Sequence, residues 1–261
     1  MKSKNLTIWV IVVALCLTSP QVMGWTEFKD GATHNINYEI ADEVWVDYKA
    51  PRMQTTLNWL DGASTPRGYD LQAFEDSRIN IFGGSIGGML WALGSSRVAM
   101  SGGTIGHNFV AGDSSQVIIS GGWLNQSLSA DDSSQVTISG GLIDGGLRTS
   151  DSGQLTLSGG WIGNELTAAE HSILTIHGVD FAVDGKYFGY GELSSILGGF
   201  LSDEPRRRLT GTLASGNILN KDFRIGGDAR IVLVPEPATL LLLTLGGLML
   251  LCRPSKYRHA G

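Results

Sequence analysis

From Asp76 to Asp184 the apolar positions fall into columns spaced 19 residues apart, through about five and a half copies of one unit. One column reads Ile79, Val98, Val117, Val136, Leu155 and Leu174, and two residues on come Ile81, Met100, Ile119, Ile138, Leu157 and Ile176. A third is Ile86, Ile105, Leu124, Ile143, Ile162 and Phe181. A fourth is Leu90, Phe109, Leu128, Leu147 and Leu166, followed two residues later by Ala92, Ala111, Ala130, Thr149 and Ala168. Offsets of two are the period of a strand, not of a helix. The residues between them (Asn80, Thr137, Thr156 and Thr175; Trp91, Ser129, Arg148 and Thr167) then point outward. Equivalent strands of successive units would lie ~4.8 Å apart and pair in parallel, so that like residues stack.

Between the columns runs a glycine pair, at Gly83-Gly84, Gly102-Gly103, Gly121-Gly122, Gly140-Gly141 and Gly159-Gly160, decaying to Gly178-Val179. It suits corners where the backbone bends sharply. A fixed period of this length is the mark of a solenoid, each unit one coil whose apolar side is covered by its neighbours. Together these features predict an all-β, single-stranded parallel β-helix (β-solenoid) of 19-residue coils. Helices are excluded in the body by the absence of three-and-four spacing and by the abundance of glycine. The pattern is not hexapeptide-periodic, and an irregular, right-handed coil is the expectation.

The flanks depart from the period. In residues 25–75, Ile36, Tyr38, Ile40, Val44 and Val46 alternate as short strands, and Leu57 and Trp59 resemble an entering coil. Thr65-Pro66-Arg67-Gly68 reads as a loop insertion ahead of Leu71 and Ala73, which are back in register with Leu90 and Ala92. This stretch is assigned to irregular coils and an N-terminal cap. Residues 185–233 are assigned to a final coil and C-terminal cap; Leu193 falls one period after Leu174, and Arg206-Arg207-Arg208 reads as a solvated loop.

The composition fits one elongated body with a narrow core: 42% hydrophobic residues and 36 glycines in 261. The two cysteines, Cys16 and Cys252, lie in the apolar terminal segments, so the body has no disulfide framework and no thiolate metal site. Between Trp25 and Leu233 there are 14 bases and 24 acids, a net charge of −10. That balance argues against nucleic acid, whose phosphates call for a basic surface.

Residues 1–24 read as a secretory signal for signal peptidase, with Lys2 and Lys4 before the apolar run Ile8 to Leu17 and a small-residue site at Val22-Met23-Gly24. An uncleaved anchor is the alternative. At the other end Val234-Pro235-Glu236-Pro237-Ala238-Thr239 precedes an apolar run, Leu240 to Cys252, and then Arg253, Lys256, Arg258 and His259. Counted from Ala238 that run is 15 residues, shorter than the ~20 of a comfortable membrane helix. Basic residues after it predict a cytoplasmic C-terminus with the solenoid outside. This three-part end, residues 234–261, resembles the PEP-CTERM sorting signal of Gram-negative and related environmental bacteria, with Pro235, Glu236 and Pro237 as its motif. The resemblance implies a transmembrane helix, recognition by an exosortase that removes the tail, and transient residence in the inner membrane. It further implies delivery to the cell surface or extracellular matrix. No residue of this chain is implied to be catalytic.

Three sets of residues in the body are candidates for chemistry. Asp113, Asp132, Asp151 and Glu170 recur at the period before Ser95, Ser114, Ser133 and Ser152. Stacked carboxylates repel unless they splay into water or share a cation, so a weak Ca²⁺ ladder and plain Asp-Ser turn chemistry are both open. Trp123 and Trp161 share a column with Ser85, Thr104 and Leu142 and either stack on a glycan or pack at a corner. Catalysis would need clustered acids, and Asp144, Asp180 and Asp184, like His107, His171 and His177, occupy different columns. The expectation is an exported, non-enzymatic structural or adhesive protein. The alternative is a polysaccharide-binding module or carbohydrate-active enzyme on the same scaffold, with extracellular polysaccharide as partner.

Overall fold

The structure, a computed structural model, describes residues 24–193 and 207–236, which form strands and turns with no helix. They build a parallel β-solenoid of about eight turns. Residues 1–23 of the expected signal, Gly198-Gly199, Arg206, Pro237, the apolar run from Leu240 and the basic tail lie outside the described residues.

The predicted columns are the core. On the first face, Arg97–Met100 pairs with Gln116–Ile119, which pairs with the start of Gln135–Ile143, and so on to Ile173–Val183, always in parallel and always one 19-residue unit apart. On a short second face Ser85, Thr104, Trp123, Leu142 and Trp161 stand in register, with Ile86 to Ile162 beneath them. The third face carries Leu90, Phe109, Leu128, Leu147 and Leu166 over one another. Every residue of the five apolar columns is buried, most of them completely. Alternation puts side chains two apart inside, and each rung covers the apolar edge of the one before it.

The corners explain the glycine pair. The second glycine has positive φ in each copy, +69° at Gly84 and +77° at Gly103. A Cβ on Gly103 would also lie 2.5 Å from the carbonyl oxygen of Gly83, one coil below. A side chain there meets both a left-handed backbone and a rung packed against it.

The N-terminal coils are wider. Asn35, Asn58 and Asn80 stand in register although they are 22–23 residues apart. The larger cross-section takes Trp59, which is fully buried between Ile36 and Ile81. Outside, the three asparagines form an amide ladder, Asn80 Nδ2 donating to Asn58 Oδ1 (2.8 Å) and Asn58 Nδ2 to Asn35 Oδ1 (2.7 Å). Tyr38, grouped with the alternating apolar residues, instead faces solvent at 54% exposure. Residues 47–55 form a loop around fully buried Asp47, whose carboxylate accepts from Thr55 N (2.9 Å) and Thr55 Oγ1 (2.6 Å).

At the other end the period is broken by hairpins. Asp184 and Gly185 both have positive φ, the geometry of a tight two-residue turn, and Val183 pairs antiparallel with Lys186. The chain reverses, so Leu193 does not extend the Leu174 column; it lies antiparallel to Ile231. The rung over Leu174 is supplied 57 residues later by Ile231, within Arg230–Val234. Arg207–Leu213 and Ile218–Ile225 form a second hairpin, so Arg207 and Arg208 open a strand instead of lying in a loop. The end of that hairpin returns to the solenoid, with Phe223 and Ile225 parallel to Leu166 and Ala168.

Candidate functional site

The acidic column sits at the turn between the third face and the next first face. Asp113, Asp132, Asp151 and Glu170 all have positive φ, between 52° and 63°, and Glu75, Gly94 and Gly227 hold the same conformation in the same column. Each turn closes by a backbone bond three residues on, as in Ser134 N to Asp131 O at 3.1 Å. Aspartate tolerates this left-handed position better than most residues. The carboxylates then reach back one coil: Asp113 Oδ2 accepts from Gly94 N (2.8 Å), Asp132 Oδ2 from Asp113 N (3.0 Å) and Glu170 Oε2 from Asp151 N. The column is thus a carboxylate-to-amide ladder in which these acids have backbone partners. Among the described residues no three His, Cys, Asp or Glu side chains come together as a metal site.

The serines beside this column divide into two sets. Ser95, Ser114, Ser133 and Ser152 are exposed turn positions, whereas the column one residue on, with Ser77, Ser96, Ser115, Ser134 and Ser172, is fully buried. Ser172 Oγ donates to Ala169 O (2.7 Å). The hydroxyls of Ser77, Ser96, Ser115 and Ser134 have no protein partner. This inward stack was legible from alternation, because Ser96 is two before Val98.

The remaining acids and histidines stay apart. Asp144 accepts from Trp123 Nε1 (2.9 Å). Asp184 takes the backbone N–H of Arg208 at 2.8 Å and pairs with the Arg207 guanidinium. These contacts, the backbone bond first, hold its carboxyl below the usual 3.8 despite partial burial. His171 lies 3.6 Å from Asp228, and His177 has a buried Nδ1 with no partner. Asp180 stands exposed at a left-handed position within Ile173–Val183, where the antiparallel pairing shifts register.

Trp123, Leu142 and Trp161 form an exposed apolar stripe on three successive rungs of the second face, each 38–47% accessible. The two indoles are two rungs, roughly 10 Å, apart. Trp161 is not free on both sides: the Lys221 ammonium lies 5.2 Å from its ring centroid. Lys221 Nζ also donates to Gly163 O (2.8 Å). Burial first, then the nearby Arg208 charge, lowers the Lys221 pKa, against a smaller opposing effect of Asp222.

Beyond that lysine lies a concavity of about 870 Å³. Its floor is one outward column of the third face, Val110, Ser129, Arg148, Thr167 and Arg224, in register over five rungs. Its wall is the C-terminal hairpin, which contributes Arg208, Asn220, Lys221 and Asp222. Thr167, expected to face solvent, is only 7% exposed, at the rung where the hairpin rejoins the solenoid. Arg208 is held by Asp222 (2.9 Å) and Arg224 by Glu165 (3.2 Å). Arg148, by contrast, is exposed and forms no ion pair or hydrogen bond among the described residues.

No protein-family model, curated protein or solved structure matches the chain.

Proposed function

We propose that this chain is an exported, non-enzymatic β-solenoid, a structural or adhesive component of the cell surface or extracellular matrix, sorted through its PEP-CTERM-like end. The observation that carries the reading is where the fold stops. The last rung, Arg230–Val234, pairs through Val234 with His177, and Pro235 and Glu236 follow at once without joining any strand. Proline cannot donate to a ladder, so Pro235 is a natural stop. An exosortase cutting beyond Val234 would leave every described rung intact, and a membrane-held tail would not strain the sheet.

A passive role is further supported by the carboxylates, since Asp144, Asp184, Asp113, Asp132 and Glu170 are engaged by protein donors. The test is Pro235→Ala combined with Glu236→Ala in the producing cell. Unprocessed protein should accumulate in the inner membrane fraction, with a mass including the tail; normal release would count against the sorting assignment.

A second reading, a polysaccharide-binding module, is favoured by the cleft between the third face and the hairpin. Incubation with acidic and neutral polysaccharides separates the two: binding without turnover supports the module, and release of shortened products supports an enzyme.

A further inference from the structure

The charges lining the cleft do not cancel. Arg208 and Arg224 are matched by Asp222 and Glu165, which leaves Arg148 and Lys221 without a carboxylate partner among the described residues. Arg148 stands in the outward column of the floor, and Lys221 caps the wall over the Trp161 ring. The rest of the lining is uncharged; Ser129, Asn164 and Asn220 supply polar groups, and Val110, Leu128 and Leu147 are apolar. On a body of net charge −10, this is a local reversal of sign.

From this we infer that the cleft binds an anionic polysaccharide, Arg148 and Lys221 taking carboxylates of a polyuronate chain while the polar floor takes its hydroxyls. A guanidinium presents a planar fork that matches a carboxylate, and an ammonium is a point charge for a second one. The cleft is long in the direction of stacking, its floor crossing five rungs, so an extended chain suits it better than a small anion. Spaced carboxylates suit two separated cations.

The inference rests on the exported, matrix-located reading only for the choice of polymer. Binding is read on purified protein and sorting on fractionated cells, so each can fail alone. The full-length protein is titrated with polygalacturonate, with its full methyl ester, with dextran sulfate and with polyphosphate at low and high salt. Arg148→Gln is the main variant, because its side chain has no described partner and its loss should leave the melting temperature unchanged. Lys221→Met is the second. Polygalacturonate should bind, its methyl ester should not, and each variant should weaken binding roughly tenfold at low salt. Equal binding of acid and ester overturns the proposal, as does unchanged affinity in both variants or binding to none of the polymers. Stronger binding of dextran sulfate or polyphosphate overturns the carboxylate assignment, in favour of a sulfate or phosphate site.

Discussion

Replacing Asp132 tests whether the acidic column is a backbone device or a cation site. Asp132 has φ 55° and its carboxylate accepts the Asp113 amide at 3.0 Å. Alanine removes both features. The left-handed backbone costs an ordinary L-residue about 1–2 kcal/mol, and an exposed charge-assisted bond contributes about 0.5–1 kcal/mol. Asp132→Ala should therefore destabilise by about 2–3 kcal/mol. Glycine restores the conformational freedom that Gly94 and Gly227 supply in this column. It loses the bond and adds unfolded-state entropy, for about 1–1.5 kcal/mol. Asparagine keeps a tolerant backbone and an acceptor oxygen and should cost only a few tenths. The order Ala, Gly, Asn is the signature, read by thermal unfolding, where 1 kcal/mol moves Tm by roughly 2–4 °C at this size. If alanine is as mild as asparagine, the turn account is wrong. If millimolar Ca²⁺ raises the wild-type Tm by several degrees but not that of Asp132→Asn, the column is a cation ladder after all.

Phe109 is fully buried between Leu90 and Leu128. Phe109→Ala should cost about 3–5 kcal/mol by denaturant titration, since rungs fixed by hydrogen bonds cannot close over the void. Asp184 carries a pH prediction: its folded pKa lies below the ordinary 3.8, so its contribution is present above that value and lost as pH falls through the lowered one. The Tm gap between wild type and Asp184→Asn should shrink between pH 5 and pH 2; a constant gap refutes it.

The repeat was legible because period and alternation act on the same residues. A 19-residue spacing names the column, and an offset of two names the side of the sheet. Where those signals run together, from Ile79 to Phe181, every residue of the five apolar columns is buried as the pattern requires. Alternation also marks the buried serines Ser96 and Ser115, one residue beyond the exposed turn positions Ser95 and Ser114. The hairpins had a different signal, Asp184-Gly185 and Ser215-Gly216, which a search for stacked copies passes over. Leu193 kept the spacing of its predecessors by coincidence while its strand ran the opposite way. The cleft had no local signal, because Arg148 and Lys221 belong to different parts of the fold and only the hairpin brings them to one surface.

That last point connects the architecture to the proposed binding. A perfectly repeating solenoid offers the same flat, ridged surface at every rung, and its side chains are spaced by one column at a time. A concavity needs a wall, and a wall needs chain that leaves the stack. Here the excursion between Ile176 and Phe223 supplies it, returning to the solenoid 57 residues after Leu166. The third-face column provides a regular floor, with Arg148 as its cation, and the irregular hairpin provides the second cation over Trp161. The same excursion ends the stack. It covers the last regular rung and delivers the chain to Val234, one residue before the proline that stops the sheet. One break in the period therefore closes the core, makes the cleft and sets where the chain leaves the sheet. Shortening the hairpin should remove the cleft, whereas deleting one 19-residue unit away from it, such as residues 76–94, should leave it in place.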